Sequence, residues 1–367
     1  MATESNHFFF AFLIFGLLVT ISLDFTVAEI GVCYGRNGNN LLSPAQVVNL
    51  YKRHNIKKMR TYDPDNAILD ALRGSGIELT VAITNQFIQR LAVDANNAND
   101  WVRDHVLNYP DVNLKSISVG NEVSPADATT SRYARFVLPA MRNVYRAIFR
   151  ARRDGQVKVT TTVGMSTLGN SFPPEDGVFR DDVAPYLRPI LSFMMNTGSP
   201  FMVNAYPYFA YVASKGQIDL GYALLEPGHG IQVNGVYYAN LYYAMVDAVY
   251  AAIDRMVNPS LHSTGGMHNR TSEKKAGRRG GRAGPKVVVT ESGHPSSGGT
   301  SANLVNAKTF NENLLGVVDN GTPRHPGPIE TYIFALFDEN LKPGAETERN
   351  FGLFYPNGQS KYDMNFN

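Results

Sequence analysis

The chain has 367 residues, 44% hydrophobic and 18% charged, an ordinary globular composition long enough for a large core. Its 34 Lys and Arg against 32 Asp and Glu leave a formal net charge of only +2, which argues against a nucleic-acid binder, whose basic stripe should raise the charge well above this. A single cysteine excludes an internal disulfide, so stability must come from packing.

From the N-terminus, the apolar run FFFAFLIFGLLVTISL (8–23) is short for a membrane span and is followed by the small residues of Thr26-Val27-Ala28. This reads as a signal peptide over 1–28, cleaved after Ala28, although MATESNH lacks the usual Lys or Arg. Residues 29–367 then read as one domain. Short, apolar, β-branched runs recur at 30–34, 57–62, 78–83, 115–120, 158–163, 201–205, 287–291 and 331–337. Helix signals lie between them. Ser43-Pro44 precedes AQVVNLYKRH as cap and first-turn proline. ANDWVRDHVLNY, SRYARFVLPAMRNVYRAIFRARR, NLYYAMVDAVYAAIDRM and SANLVNAKTFNENLLGVV are further helical stretches. Strand–helix alternation repeated eight times predicts an α/β chain folded as a single-domain (β/α)8 TIM barrel. An open doubly wound sheet is the alternative, but no glycine-rich fingerprint follows the first strand.

Residues 261–284 break the pattern, being rich in Gly, Lys and Arg and nearly devoid of large apolar groups. They predict a flexible insertion loop between a helix and the seventh strand, on the barrel's bottom face. Asn269 and Asn320 head Asn-X-Thr triplets and are candidate glycosylation sites. Cys33, inside IGVCYG, reads as a buried, inert thiol. The C-terminus YDMNFN is polar and lacks the apolar tail of a lipid-anchor signal. With no later transmembrane run, we expect a secreted mature chain without a stable membrane anchor.

In barrel enzymes, polar groups at the C-terminal ends of strands are the prime catalytic suspects. The fourth predicted strand, KSISVG, ends in Asn121-Glu122. The seventh, KVVVT, ends in Glu291-Ser292-Gly293. An acid placed directly after a buried apolar strand is costly without a partner or a task. Two of them at one barrel face fit glycoside hydrolysis, in which one carboxyl protonates the leaving oxygen and the other attacks the anomeric carbon. A pair about 5–5.5 Å apart gives retention through a covalent intermediate. Residue type alone leaves open which Glu is acid and which is nucleophile.

At VGNEV (119–123) and VVVTESGHPS (287–296) the chain resembles the plant β-1,3-glucanases of glycoside hydrolase family 17. The likeness continues through IGVCYGRNGNNL, MRTYDP, FMVNAYPYFAY and ETYIFALFDENLKPGAETERNFGLFYPNG, and so spans essentially the whole mature chain. The resemblance implies a barrel, retention, endo-cleavage of β-1,3-glucan such as callose or fungal wall glucan, and no cofactor or metal. It implies Glu122 as acid/base, Glu291 as nucleophile, and Asn121 as the neighbour that hydrogen-bonds the sugar 2-OH. Glu339, Lys342 and Glu348 match a charged cluster beside the catalytic pair; a structural ion network is the alternative. Tyr206 and Phe337 resemble the family's cleft aromatics. Tyr62 and Phe209 also fall at or just past strand ends, where ring stacking or rim packing would place them.

One departure is His294 in ESGHPS, where the family usually has Trp. It would either reshape a subsite wall or simply pack. The expected partner is a β-glucan polysaccharide, bound by a monomer outside the cell or in its wall rather than in the vacuole. Two other readings stand beside this one: the same machinery acting on mixed-linkage β-1,3;1,4-glucan, and a glucan-binding protein that has lost catalysis.

Overall fold

The computed structural model describes residues 30–259 and 283–366. The expected signal peptide at 1–28, Asn269 and nearly all of the expected 261–284 loop lie outside the described residues. Eight parallel strands close into a barrel. They are β1 (Gly31–Tyr34), β2 (Lys58–Thr61), β3 (Glu78–Ile83), β4 (Asn113–Asn121), β5 (Lys158–Gly164), β6 (Phe201–Asn204), β7 (Val287–Ser292) and β8 (Thr331–Ile333). Each pairs with the next in chain order, and β8 returns to β1. Each overlaps one of the predicted runs.

The eighth run ends earlier than its apolar sequence suggested. After Ile333 the chain leaves the regular ladder, yet its backbone stays paired: Phe334 N donates to Ser292 O on β7 and Leu336 N to Cys33 O on β1, each 2.8 Å. Residues 334–337 therefore stay between β7 and β1 without regular ladder pairing, and Ala335 also exchanges backbone bonds with Phe351 and Leu353.

The helices follow their local signals. Pro44–Arg53 begins at Ser43, whose backbone N–H and side chain both meet the Gln46 side chain in a capping box. Ser131–Arg150, Leu241–Val257 and Leu304–Val317 match three of the four predicted stretches closely. The fourth runs from Ala95 to Val102 and finishes in a π turn, Arg103–Leu107. The apolar faces of the helices cover the outer barrel wall in a core that includes Leu50, Ile88, Met141, Leu187 and Phe310. The barrel interior holds its own layer of Cys33, Met202, Val288 and Tyr332. Among the described residues, no helix is long and apolar enough to cross a membrane.

At the bottom face, Lys58 lies between Glu78 (3.2 Å) and Glu330 (3.6 Å), so these two strand-start acids serve the scaffold. Asn320 is exposed, while Thr322 of the same triplet is buried and donates to Asp247. Cys33 is fully buried, its Sγ donating to Thr290 O at 3.3 Å, and burial pushes its thiol up to about 12, which makes it inert.

Candidate active site

The ladders shift register at the strand ends that carry the two acids. The β4–β5 pairing slips between Ser118 and Asn121, and the β6–β7 pairing slips between Val289 and Glu291. Such bulges re-aim side chains at a barrel rim. Glu122 itself has φ 51°, just after Gly120 at φ 83°. For a residue with a Cβ the left-handed conformation costs about 1–2 kcal/mol. Here it is held by Glu122 N donating to Thr162 O (2.9 Å) and by Thr130 Oγ1 donating to Glu122 O (3.2 Å). The turn is clamped from β3's side as well. Asn85 Oδ1 accepts from Asn121 N (2.9 Å) and its Nδ2 donates to Asn121 O (3.0 Å). Gly164 leaves the room the acid needs, since a Cβ there would lie 3.2 Å from Glu122 Oε1.

Both carboxyl groups open into one cleft of about 940 Å³ at the C-terminal ends of the strands. Their surroundings differ. Glu291 Oε1 accepts from Arg60 Nη1 (2.5 Å) and Tyr62 OH (2.9 Å), and its Oε2 accepts from Tyr206 OH (2.7 Å). Glu122 meets a neutral donor, Asn204 Nδ2, at 2.9 Å from its Oε1. Burial raises the Glu122 carboxyl above the usual range, with the negative charge of Glu291 adding to the effect; Asn204 and Arg60 offset it in part.

Arg60 ties the site together. It is fully buried, and while Nη1 reaches Glu291, Nη2 donates to Asn121 Oδ1 at 2.8 Å. Asn204 Nδ2 meets the same oxygen at 3.3 Å. With Oδ1 taken by two donors, the Asn121 amide has only its NH2 left to offer a ligand.

Glu339, Lys342 and Glu348 line the same cleft. Lys342 Nζ is 3.0 Å from Glu348 and 4.0 Å from Glu339, and lies 4.3 Å above the Phe334 ring. Burial raises the Glu339 carboxyl, opposed by the Asn37 N–H that it accepts at 2.9 Å and by Lys342.

Tyr206 lines the cleft, as do Tyr62 and Phe209, for which the sequence leaves rim packing open, but two predicted residues do not. Phe337 is buried beneath the rim, edge-on to Tyr34 at 6.1 Å. Phe334, three residues earlier, lines the cleft instead and packs on Phe351 at 5.6 Å, just past the point where regular strand pairing ends. His294 is likewise buried, edge-on to Tyr208 at 4.8 Å, with Nδ1 donating to Pro295 O at 3.0 Å. It forms part of the packing behind the cleft and no part of its wall.

Sequence reasoning passed over Arg60, Asn204, Phe334 and Phe351. Arg60 was within reach: a cation past the apolar Met59, in the half of the run nearest the barrel mouth, needs a buried acid to pair with.

A carboxyl biased toward its protonated form and a carboxylate ringed by donors share one barrel mouth. Together they suit protonation of, and attack on, a single glycosidic bond, the chemistry of a glycoside hydrolase. Comparison with known proteins agrees. The model of glycosyl hydrolases family 17 matches residues 30–263 and 274–366, and the chain belongs to that family. The interruption at 264–273 falls inside the insertion seen in the sequence. The chain is 44% identical over its whole length to a glucan endo-1,3-beta-glucosidase of Vitis vinifera, which it covers completely. It is similar in structure to a beta-1,3-glucanase and allergen of Cryptomeria japonica pollen: TM-score 0.83, 40% identity, covering 92% of this chain and 99% of that one. One of two plant beta-glucan endohydrolases with distinct substrate specificities matches with TM-score 0.80 and 39% identity, over 92% of this chain and 100% of the other.

Proposed function

We propose that this chain hydrolyses internal β-1,3-glucosidic bonds with retention, Glu122 acting as acid/base and Glu291 as nucleophile. The observation that carries the assignment of roles is the contrast between the two settings. Burial and a neighbouring negative charge favour a proton on Glu122. Glu291 is met by a guanidinium and two phenol hydroxyls, all donors that a carboxylate accepts. In the first step Glu122 gives its proton to the leaving oxygen while Glu291 attacks the anomeric carbon, forming a glycosyl ester. In the second, Glu122 takes a proton from water, which hydrolyses that ester. The Asn121 NH2 donates to the sugar 2-OH, and Tyr206, Phe209 and Phe334 offer faces to the sugar rings. Lys342, Glu339 and Glu348 form a charged wall beside the reacting bond.

The printed names of the relatives support β-1,3-glucan as substrate. Mixed-linkage β-1,3;1,4-glucan is the second reading, favoured by the similarity to endohydrolases described as differing in specificity. Reducing-sugar release from a linear β-1,3-glucan and from a mixed-linkage glucan, side by side, separates the two. NMR of the first-formed anomer tests retention. Release from the mixed-linkage polymer alone, or inversion, overturns the proposal.

Residues 1–28 are proposed to direct the chain out of the cell and to be removed after Ala28. A relative 43% identical over 95% of this chain is named a basic vacuolar isoform, so the vacuole is the competing destination. N-terminal sequencing of the mature protein and its recovery from wall washings decide between them.

A further inference from the structure

Asn204 is 2% exposed and sits at the end of β6, between the two catalytic strands. Its amide orientation is dictated from both sides. Arg60 can only donate, so the Asn121 oxygen that takes Nη2 can offer Asn204 nothing but an acceptor, and Asn204 must present Nδ2 there. On its other face Asn204 Oδ1 accepts from Thr290 Oγ1 at 2.9 Å. Thr290 is fully buried and directly precedes Glu291. With the amide fixed this way, Nδ2 donates to Glu122 Oε1. An oxygen already accepting that bond is the carbonyl oxygen of the protonated acid, which leaves the proton on Oε2.

We propose that Thr290 and Asn204 are positioning residues that select which oxygen of Glu122 carries the transferable proton. The inference rests on the acid/base reading of Glu122. It makes the residue beside the nucleophile on β7 responsible for the aim of the acid on β4. No reacting atom touches Thr290; it acts through the amide. A flipped Asn204 would turn its oxygen toward Glu122, bind the proton on Oε1 and hold it away from the leaving group. The charged groups that face Glu122 are Glu291 from β7, Arg60 from β2 and Glu348 from the loop after β8. None of them changes in the experiment below.

The test compares Thr290→Val, Thr290→Ser and Asn204→Leu, with Glu122→Gln alongside. Valine keeps the volume of threonine, and the backbone carbonyl that serves Cys33 and Arg60 is retained. For Thr290→Val, kcat/KM on β-1,3-glucan should fall ~10-fold, while an activated aryl oligoglucoside that needs little protonation loses far less. The basic limb of the pH profile should move up by about one pH unit, the low end of what a lost hydrogen bond to an ionised acid is worth. Thr290→Ser should restore both. Asn204→Leu should reproduce the limb shift even if the valine variant folds poorly. A Thr290→Val enzyme with the wild-type limb and the same loss on both substrates overturns the relay, as does failure of serine to rescue. If Glu122→Gln keeps the wild-type rate on glucan, the acid/base reading falls and the relay with it. If Glu122→Gln is inactive while Thr290→Val behaves as wild type, only the relay falls.

Discussion

Arg60 on β2 and Glu291 on β7 meet across the barrel mouth, Nη1 to Oε1, at 2.5 Å, with the guanidinium fully buried. A charge in that position is tolerable only because the carboxylate answers it, and breaking one side of such a pair typically costs about 3–5 kcal/mol. Arg60→Met should therefore lose stability of that order in urea unfolding. It should also lose most activity, since both Glu291 and Asn121 lose a donor. Arg60→Lys should recover stability better than activity, because one ammonium cannot span both partners as the planar fork does. Equal recovery of the two would argue against the bridging role.

Glu291→Gln should remove hydrolysis by about 10⁴-fold or more, with the far- and near-UV circular dichroism unchanged. Glu122→Gln should be selective: severe on glucan, mild on substrates whose leaving group departs without a proton. If the two variants show the same dependence on the leaving group, the assignment of roles is wrong.

The raised Glu122 carboxyl carries a pH prediction. The acid must be protonated to act, so kcat/KM should fall only above a pKa lying higher than the ordinary glutamate range. Burial and Glu291 are the main causes, and the negative charge of Glu348 is a lesser one. Glu348→Gln should thus lower the basic limb, by less than about half a unit. Lys342→Met should move it the other way, because Glu348 loses the cation 3.0 Å from it. Shifts of the same sign in both variants would contradict this account.

His294 predicts acid sensitivity of the fold rather than of the chemistry. Burial lowers its pKa to about 4, and its Nε2 has no partner among the described residues. A folded-state value below the unfolded one means that the unfolded chain binds the proton first. Stability from the neutral ring is therefore complete above about pH 6.5 and is lost as pH falls toward 4. At pH 4.5 the loss amounts to about 2–3 kcal/mol. His294→Leu should flatten the dependence of unfolding free energy between pH 6.5 and 4.5 relative to wild type while leaving the pH profile of kcat unchanged. The second half of that expectation separates packing from a place in the cleft.

Lys361, near the C-terminus, has a side chain only 2% exposed and reaches Asp338 at 2.8 and 3.0 Å and Ser296 at 2.5 Å. Asp338 in turn accepts from Gly352 N at 2.9 Å. The tail is thereby tied to the loop that presents Glu339 and Lys342. Lys361→Met should cost about 3–5 kcal/mol of unfolding free energy, because Asp338 is left buried without its cation. A truncation ending at Tyr355, which lacks the tie altogether, should be no more stable than this variant.

The eight strands were legible because buried parallel strands read as short, β-branched apolar runs, whatever lies around them. The two catalytic candidates were legible for the same reason: Glu122 and Glu291 interrupt such runs at their C-terminal ends, where a carboxyl without a task is expensive. Sequence determined that much by itself, since backbone periodicity and the cost of burying charge are local matters. It did not determine that regular strand pairing ends at Ile333, so Phe337 was expected in the cleft and Phe334 was overlooked. Nor did it show that the ring at His294 packs behind the wall. Arg60, Asn121, Asn204 and Thr290 come from four different strands, and each becomes part of the site only through the hydrogen bonds of the others. Closure of the barrel decides those partnerships, because it alone brings strand ends more than two hundred residues apart within hydrogen-bonding distance.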